Sequence, residues 1–342
     1  MLAAAPLLLA LGCAGRQRGI SRDAHRDTGT VDSTTAFHGW GALVLRNGHQ
    51  RVTIVPAIGR VMGFDFAQEE GSPATRDPFW SHPQLGAALA PDHDGWINYG
   101  GDKAWPAPQS DWPRVAGRGW PPPVTFDARP YAPSVDRSEV ELLSAVDPAY
   151  GIRVRRRIAL FDDLMLITTT YEKVEGAPVR IAVWTITQLQ PPERIFVRLP
   201  PRSAFAGGYR SRLPAPPRDL RTDGRLLSLA HDATEKTMIT SDGDALLWLG
   251  EGRSLVIETL DASESPAPAA QENRSWPDGA HAQIYTSPDA DQRYVELELL
   301  GPLADLRAGQ STSMRVRYRL IRRAEKDPLR EAQRIFDERR GD

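Results

Sequence analysis

The sequence predicts an all-β fold, namely one large antiparallel β-sandwich that is closed at one end by a short C-terminal helix. The first observation is a series of about fourteen short segments that alternate apolar and polar residues or are rich in β-branched and aromatic residues. The second is that 28 Gly and 29 Pro are spread along the 342 residues, as in a β protein with many loops. The third is that a helical pattern occurs only near the C-terminus, over residues 327–340.

The first hairpin is predicted around Asn47-Gly48, in the segment GALVLRNGHQRVTIVP. This dipeptide favours a type I′ turn, in which both central residues need positive φ. Residues 67–136 show few strand signals, and we interpret them as a long loop with a binding or lid role. Beyond this loop the strand patterns are EVELLSAV, GIRVRRRIALF, DLMLITTTYEKV, VRIAVWTITQL, LLSLA, KTMITS, ALLWLG, SLVIETL, AQIYTS, RYVELELL and MRVRYRLI.

The C-terminal helix has a recognisable start. Asp327 is a natural N-cap, and Pro328 suits the first helical position. The helix would bury one apolar stripe, made by Leu329, Ala332, Ile335 and Phe336.

The N-terminal residues predict export. The single cysteine, Cys13, follows MLAAAPLLLALG, a run too short to span a bilayer as a helix and typical of a signal peptide. LALGC resembles a bacterial lipoprotein signal, in which the cysteine is lipidated and anchors the protein. We therefore expect a signal segment over residues 1–13, a flexible tether over 14–36 and a single domain over 37–342. The alternative is an apolar N-terminus on a cytosolic protein.

The segment WINYGGDKAWPAPQSDWP, residues 96–113, concentrates aromatic and polar residues within the predicted loop. A small-molecule site combines apolar walls with a few polar groups that fix orientation. A sugar suits such walls, because aromatic faces pack on its C–H surface while polar groups bind its hydroxyls. The alternative is that the tryptophans only cover a sheet. Four of the nine tryptophans lie within residues 96–120, at Trp96, Trp105, Trp112 and Trp120.

The polar residues of this segment are candidate ligand contacts. Gly100 and Gly101 would let the backbone approach a ligand closely or adopt positive φ. Asp102, Lys103 and Gln109 supply a carboxylate, an ammonium and an amide among the aromatic rings.

A second candidate group lies on two predicted strands. Glu296 and Glu298, in YVELELLGP, are two residues apart and so point to the same face of their strand. Two carboxylates beside a pocket can share a proton, bind sugar hydroxyls or act as a general base; the alternative is a solvated strand face. In VWTITQL, Trp184 and Gln188 share a face with Ile186, and a satisfied buried glutamine is the alternative there.

NYGGDKAWPAPQ (98–109), WTITQL (184–189) and YVELELLGPL (294–303) resemble segments of the galactose-mutarotase-like superfamily, and more narrowly of the bacterial domain-of-unknown-function family 4380. The resemblance runs from GWGALVLRNG to YRLI. It implies a large twisted antiparallel β-supersandwich with a sugar site on its concave face. It also implies that Glu298, or else Glu296, matches the glutamate that deprotonates the anomeric hydroxyl.

The chain departs from the pattern of such enzymes at their acid. Mutarotases carry a histidine in a His-x-Tyr-Phe-like stretch, and this histidine protonates the ring oxygen. The corresponding segment here is WTITQL, in which neither Trp184 nor Gln188 can donate a proton near neutral pH. Lys103 or His281 would replace this acid only if the fold brought it to the ring oxygen.

These observations lead to a carbohydrate-binding, mutarotase-like lipoprotein of the bacterial cell envelope, facing the periplasm or the exterior. One alternative is an aldose epimerase or sugar-acid-modifying enzyme with Glu298 or Glu296 as general base; another is a structural envelope protein without a ligand. The partner is a mono- or oligosaccharide, and the sequence indicates no cofactor, no metal and, at a net charge of −2, no nucleic acid. The expected contacts are stacking by Trp105, Trp184 and Trp96, hydrogen bonds from Asp102, Lys103, Gln109, Gln188 and Glu298, and a charged contact from Arg60 unless that residue lies on the surface.

Overall fold

The computed structural model describes residues 29–69, 77–86, 95–136, 138–260 and 275–338. Two antiparallel sheets of eleven and ten strands lie face to face and share one apolar core. Ile54 and Val61 of the first sheet belong to the same buried cluster as Leu142 and Val154 of the second. The predicted all-β sandwich is therefore confirmed.

The first sheet contains the strands that position the candidate site. Its hydrogen-bonded order is β1-β2-β3-β4-β5-β10-β19-β18-β15-β12, with β20 paired to β10. Its strands are β1 (Thr30–Phe37), β2 (Trp40–Arg46), β3 (Gln50–Val55), β4 (Arg60–Phe66), β5 (Asp102–Ala107), β10 (Val179–Leu189), β12 (Arg210–Ser211), β15 (Thr237–Ser241), β18 (Ala282–Thr286), β19 (Val295–Leu300) and β20 (Ala304–Leu306).

The second sheet covers the inner side of the first. Its order is β13-β14-β11-β16-β17-β21-β9-β8-β7-β6. Its strands are β6 (Ala132–Asp136), β7 (Glu139–Asp147), β8 (Ile152–Phe161), β9 (Leu164–Lys173), β11 (Arg194–Arg198), β13 (Arg221–Asp223), β14 (Leu226–Leu229), β16 (Ala245–Leu249), β17 (Arg253–Thr259) and β21 (Ser311–Arg322).

The described helices are α1 (Trp112–Ala116), α2 (Val124–Asp127) and α3 (Pro328–Asp337). The predicted C-terminal helix is α3, and Asp327 caps it by accepting a 2.9 Å hydrogen bond from the backbone N–H of Arg330. Its apolar stripe packs on the outer side of the second sheet, where Ile335 and Phe336 join a cluster with Phe196 and Leu247.

Two segments differ from the prediction. Residues 30–36, expected as tether, belong to β1, which pairs with β2. Residues 102–107, expected as loop, form β5 in the middle of the first sheet. Pro106 is tolerated in this central strand because β4 pairs with β5 only at Val61 and Asp102, so the missing N–H breaks no ladder.

The first hairpin has a different turn from the predicted one. β2 and β3 do pair antiparallel, but neither Asn47 nor Gly48 has positive φ. Instead, the side-chain oxygen of Asn47 accepts hydrogen bonds from the N–H groups of His49 and Gln50, at 2.9 and 2.8 Å. An asparagine that bonds its own following backbone offers an alternative to the type I′ turn.

Cys13, the signal segment and residues 14–28 of the expected tether lie outside the described residues. Within the part of the chain that the structure describes, no helix combines the length and the hydropathy needed to cross a membrane.

Candidate functional site

The middle of the first sheet carries most of the predicted site residues on one side. Strands β5, β10 and β19 are neighbours, and every second side chain on them points away from the second sheet. Register places Trp105 beside Trp184, and Gln188 beside Glu296. We call this surface the outer face; it is formed by Lys103, Trp105, Trp184, Ile186, Gln188, Glu296 and Glu298.

Glu296 is held from two sides on the outer face. Gln188 Nε2 donates a 2.9 Å hydrogen bond to Glu296 Oε1, and Lys103 Nζ lies 3.5 Å from the same oxygen. The side chain of Glu296 remains 13% exposed, so solvent or a ligand can reach it. Two groups that favour a negative charge therefore surround an accessible carboxylate.

Lys103 is buried beneath this carboxylate. Burial lowers the pKa of Lys103, and the charge of Glu296 opposes that shift. Its Nζ also lies 4.8 Å from the centre of the Trp105 ring, in a cation–π contact that favours the ammonium form. The lysine thus joins the carboxylate to the tryptophan cluster.

Glu298 has a different environment from Glu296, although both are on β19. It is buried, and Trp184 Nε1 donates a 2.7 Å hydrogen bond to its Oε2. Burial and then repulsion by Glu296 raise the pKa of Glu298 well above its usual range, against the opposing effects of Trp184, Lys103 and Arg212. One face of the strand therefore holds a carboxylate and, beside it, a carboxyl group that favours its protonated form.

The four tryptophans of residues 96–120 form one continuous cluster with Trp184. Trp105, Trp112 and Trp184 are buried, with ring centroids 5.6–6.5 Å apart. Trp105 and Trp184 therefore offer little ring surface to a ligand, contrary to their expected stacking role. The exposed rings are Trp96 and Trp120, at 38% and 50%, which meet edge to face with centroids 4.9 Å apart.

Three further polar residues, Tyr285, Tyr294 and Asn98, lie around Glu296 but were not predicted from the sequence as site residues. Tyr285 is directly opposite Glu296 on β18, and burial and the Glu296 charge raise the pKa of Tyr294. Tyr294 lies two residues before Glu296, so strand alternation could have found it. Asn98 lies beside the Tyr294 hydroxyl. It belongs to an irregular segment, so no strand or helix periodicity in the sequence could have predicted which way its side chain points.

Two buried amides at this place have unused hydrogen-bonding atoms. Among the described residues, Oε1 of Gln188 has no hydrogen-bond partner, and the Asn98 amide has none of ordinary geometry, although it lies close enough to the Tyr294 hydroxyl to lower that group's pKa. Most buried polar atoms in proteins are paired, because an unpaired one costs about 1–3 kcal/mol. Unpaired atoms also occur at Gln50, Arg156 and Thr169, but those of Gln188 and Asn98 lie beside the accessible carboxylate of Glu296 and the hydroxyl of Tyr294.

The prediction that Asp102 contacts a ligand is wrong. Its side chain points to the inner face, between the sheets, because it alternates with Lys103 along β5. Its carboxylate forms an ion pair with Arg156 of the second sheet and accepts hydrogen bonds from Thr187 (2.8 Å) and Tyr318 (2.7 Å). Asp102 therefore joins the two sheets.

Arg60 is also structural. Its buried guanidinium bonds Asp127 Oδ1 at 2.7 Å and the carbonyl oxygen of Gly100 at 2.7 Å, so a charged contact with a ligand on the outer face is not available. The positive φ expected at Gly100 and Gly101 is confirmed, at 92° and 72°. Their close neighbours are the carbonyl oxygens of Trp80 and Val61, so the glycines serve backbone packing.

Gln109 lies away from Glu296, in a short 3-10 turn before α1. It lines a cavity of about 50 Å³ together with Trp184, Arg212 and Gln283. This cavity is near Glu298 in the sheet, because Gln283 is directly opposite Glu298 on β18. Gln109 and Glu298 therefore flank the same end of the outer face.

No protein-family model and no curated protein matches the chain. Solved structures do. A galactose mutarotase-like protein from Lactobacillus casei is 10% identical and has a TM-score of 0.55, over 82% of this chain and 100% of that one. A galactose mutarotase related enzyme from Lactobacillus acidophilus has 8% identity and a TM-score of 0.51, over 82% and 97%. A candidate aldose 1-epimerase from Escherichia coli K12 has 14% identity and a TM-score of 0.52, over 82% and 98%. The chain has the galactose mutarotase-like fold.

Within this mutarotase-like fold, the outer-face segment of β10 contains no histidine. His281 immediately precedes β18, and its ring packs against Trp276 with ring centroids 4.2 Å apart. Burial lowers the pKa of His281, and the charges that act on it come from Asp242 and Asp244. Among the described residues, no hydrogen bond or ion pair joins the His281 side chain to Glu296 or Glu298. The narrower resemblance to family 4380 remains a prediction.

Proposed function

We propose that the protein binds a carbohydrate on the outer face of the first sheet, around Glu296. The observation that carries this proposal is the set of unpaired amide atoms of Asn98 and Gln188 beside an accessible carboxylate. Sugar hydroxyls donate and accept hydrogen bonds at once, so they suit a site that offers carboxylate, amide and phenol groups together.

The aromatic cluster supports the same class of ligand. Trp120 packs on Trp105 at 5.9 Å, and Trp105 contacts Lys103, so the exposed rings are connected to the polar groups around Glu296. Exposed aromatic rings provide apolar surface for the C–H face of a sugar ring. The mutarotase-like structures named above share the fold, and their names supply the substrate class that we carry over here as a proposal.

Anchoring to the envelope is the second part of the proposal. It rests on the LALGC segment at Cys13 and on the polar residues that follow it. In bacterial cells, wild-type protein is expected to incorporate a radiolabelled fatty acid and to fractionate with membranes. Cys13→Ser should abolish both, and an unlabelled, freely soluble wild-type protein would contradict the anchor while leaving the sugar site untouched.

The sugar site is tested with Asn98→Ala. Because the Asn98 amide makes no hydrogen bond of ordinary geometry with a described residue and only approaches the Tyr294 hydroxyl, its removal should lower sugar affinity about tenfold with little change in stability. The readouts are intrinsic tryptophan fluorescence and calorimetric titration with a panel of aldoses, sugar acids and oligosaccharides, plus thermal unfolding.

Asn47→Ala is the matched control. Asn47 is also largely buried, but its side chain bonds the backbone of Asp162, His49 and Gln50. This variant should lose stability and keep the affinity of the wild type. No response to any saccharide in the panel would favour the structural alternative, in which the tryptophans serve packing alone.

A further inference from the structure

A cleft of about 470 Å³ opens beside α3, on the outer side of the second sheet and so away from the proposed sugar site. Three parts of the chain form it: the hairpin of β13 and β14, the last turn of α3, and the adjoining ends of β11 and β16. Small-molecule sites in proteins have volumes of about 300–1,000 Å³. The cleft is therefore large enough for a small organic ligand.

An ion pair lines the cleft on the side of the sheet. Arg198 Nε and Nη2 both donate to Asp244 Oδ1, at 3.1 and 2.9 Å, and the guanidinium lies 5.6 Å from the centre of the Phe336 ring. Asp244 Oδ2 accepts no hydrogen bond from a described residue. The charge of Arg198 is thus already balanced, while one oxygen of Asp244 remains available to a donor.

Arg225 is the unpaired cation of the cleft and lies in the turn between β13 and β14. Its Nε donates a 2.8 Å hydrogen bond to the carbonyl oxygen of Leu199, which fixes one edge of the guanidinium. No carboxylate among the described residues pairs with it, so its two Nη groups remain available. A planar guanidinium with a free pair of donors matches the geometry of a carboxylate.

The α3 side of the cleft carries negative charge. α3 ends at Asp337, and the last carbonyl groups of a helix carry a partial negative charge. Asp337 forms no ion pair with a described residue, and Arg334, the basic residue of this turn, is paired within the helix. Asp223, on the hairpin, accepts only a long hydrogen bond of 3.5 Å from Gln333 Nε2 of α3. This side therefore favours an ammonium group.

The lining of the cleft excludes several classes of ligand. It contains two arginines and three aspartates, a net charge of −1, so a simple anion would meet an excess of carboxylates. An apolar molecule would find little apolar surface, because Leu226 and Phe336 are buried. The described residues also contain no group of three or more side chains placed to hold a metal ion.

We propose that this cleft binds a free amino acid with a basic side chain. The α-carboxylate of the ligand binds the Nη groups of Arg225. Its two cationic groups bind the carboxylates of Asp337 and Asp223 and the free oxygen of Asp244. Such a ligand has a net charge of +1, which balances the net charge of the lining. The site is independent of the sugar site, because the two lie on different sheets.

Calorimetric titration of the purified protein with L-lysine tests the proposal. L-alanine lacks the second cationic group and cadaverine lacks the carboxylate, so each should bind about tenfold more weakly than lysine. L-glutamate should bind most weakly, because it adds a negative charge to an acidic cleft. Glucose, inorganic phosphate and calcium chloride are titrated as probes for the other classes of ligand.

The decisive variant is Arg225→Gln. It should weaken lysine binding about tenfold and leave cadaverine binding unchanged, because only lysine has a carboxylate for this side chain. Asp337→Asn should weaken the binding of both. Arg221→Gln is the matched control: Arg221 lies on the same hairpin, but it pairs with Asp219 at 2.7 Å and does not line the cleft. All three side chains are exposed, so thermal unfolding should match that of the wild type.

The absence of lysine binding at millimolar concentration would overturn the proposal. So would a lysine affinity that neither Arg225→Gln nor Asp337→Asn changes, since the ligand would then lie elsewhere. Tighter binding of glutamate or phosphate than of lysine would show an anion site instead. Glucose binding that depends on Arg225, without lysine binding, would make the cleft a second sugar site. Asn98→Ala should keep the lysine affinity of the wild type, so either proposal can fail without the other.

Discussion

Asp127 Oδ1 accepts a 2.7 Å hydrogen bond from Arg60 Nη2 and a 2.9 Å hydrogen bond from Trp105 Nε1. One carboxylate oxygen thus connects β4, β5 and α2, and all three side chains are buried. Through this connection the buried part of the tryptophan cluster is fixed to the middle of the first sheet. Arg60, for which the sequence left a ligand contact and a surface position open, is instead buried and supports the tryptophan cluster through Asp127.

Asp127→Ala should destabilise the protein by about 3–5 kcal/mol, because it leaves the Arg60 guanidinium buried without its counter-charge. Urea unfolding measures the change. Asp111→Ala is the control: Asp111 pairs with Arg114 at 2.8 Å on the surface, and exposed pairs contribute about 0–1 kcal/mol. Equal effects of the two substitutions would contradict the role assigned to Asp127.

Trp112 and Trp120 stack on each other but should respond differently to truncation. Trp112 is fully buried and donates a 2.7 Å hydrogen bond to the carbonyl oxygen of Pro106, so Trp112→Ala should cost about 3–5 kcal/mol. Trp120 is half exposed, and Trp120→Ala should change stability by less than about 1 kcal/mol while weakening sugar binding. Thermal unfolding measures the change in stability, and fluorescence titration measures the change in sugar affinity. A Trp120→Ala variant with wild-type affinity would show that this ring does not contact the sugar.

Gly100→Ala should be more damaging than Gly117→Ala. Both glycines have positive φ, which costs other residues about 1–2 kcal/mol. A Cβ at Gly100 would overlap the backbone of Trp80 and Ser81, whereas a Cβ at Gly117 would meet nothing within 4 Å. We expect about 2–5 kcal/mol for the first and about 1–2 kcal/mol for the second, by urea unfolding. Equal losses would mean that the segment around Trp80 moves freely.

Ionisation of Asp77 should lower the free energy of unfolding as the pH rises toward neutrality. Burial raises the pKa of Asp77 from 3.8 to about 7 in the folded protein. The folded state therefore binds this proton more tightly than the unfolded state, and the resulting stability is present below pH 4 and is lost between about pH 4 and 7.

In the variant Asp77→Asn, the free energy of unfolding should fall less steeply between pH 4 and 7 than in the wild type. The asparagine can keep the hydrogen bonds that Asp77 Oδ1 accepts from the N–H groups of Phe64 and Phe79, at 3.2 and 2.9 Å. Unfolding free energies between pH 4.5 and 7.5 are compared for wild type and variant. Asp32→Asn is the control, because hydrogen bonds from Thr34 lower the pKa of Asp32 and its effect is confined to acidic pH. A variant that keeps the full decline would show that another group causes it.

Sequence patterns predicted those parts of the fold that depend on neighbours in the chain. Strand patterns rich in apolar and β-branched residues identified β7, β8 and β9, and capping by Asp327 with an apolar stripe identified α3. β5 was missed because its residues Asp102–Ala107 contain a proline and two charged residues, and only its pairing with β10 makes it a strand. The hairpin at Asn47 was located correctly, but its turn type depends on side-chain hydrogen bonds that a dipeptide signal does not contain.

The sequence by itself determined that Glu296 and Glu298 share a face, because the side-chain period of a strand is two residues. Tertiary structure alone decided that Lys103 and not Asp102 reaches these glutamates, since the same alternation does not say which face of β5 turns outward. It also decided which tryptophans keep exposed rings. Contacts between residues more than seventy positions apart, such as Trp105 with Trp184 or Lys103 with Glu296, follow from the pairing of whole strands and the packing of two sheets, and local pattern carries no information about either.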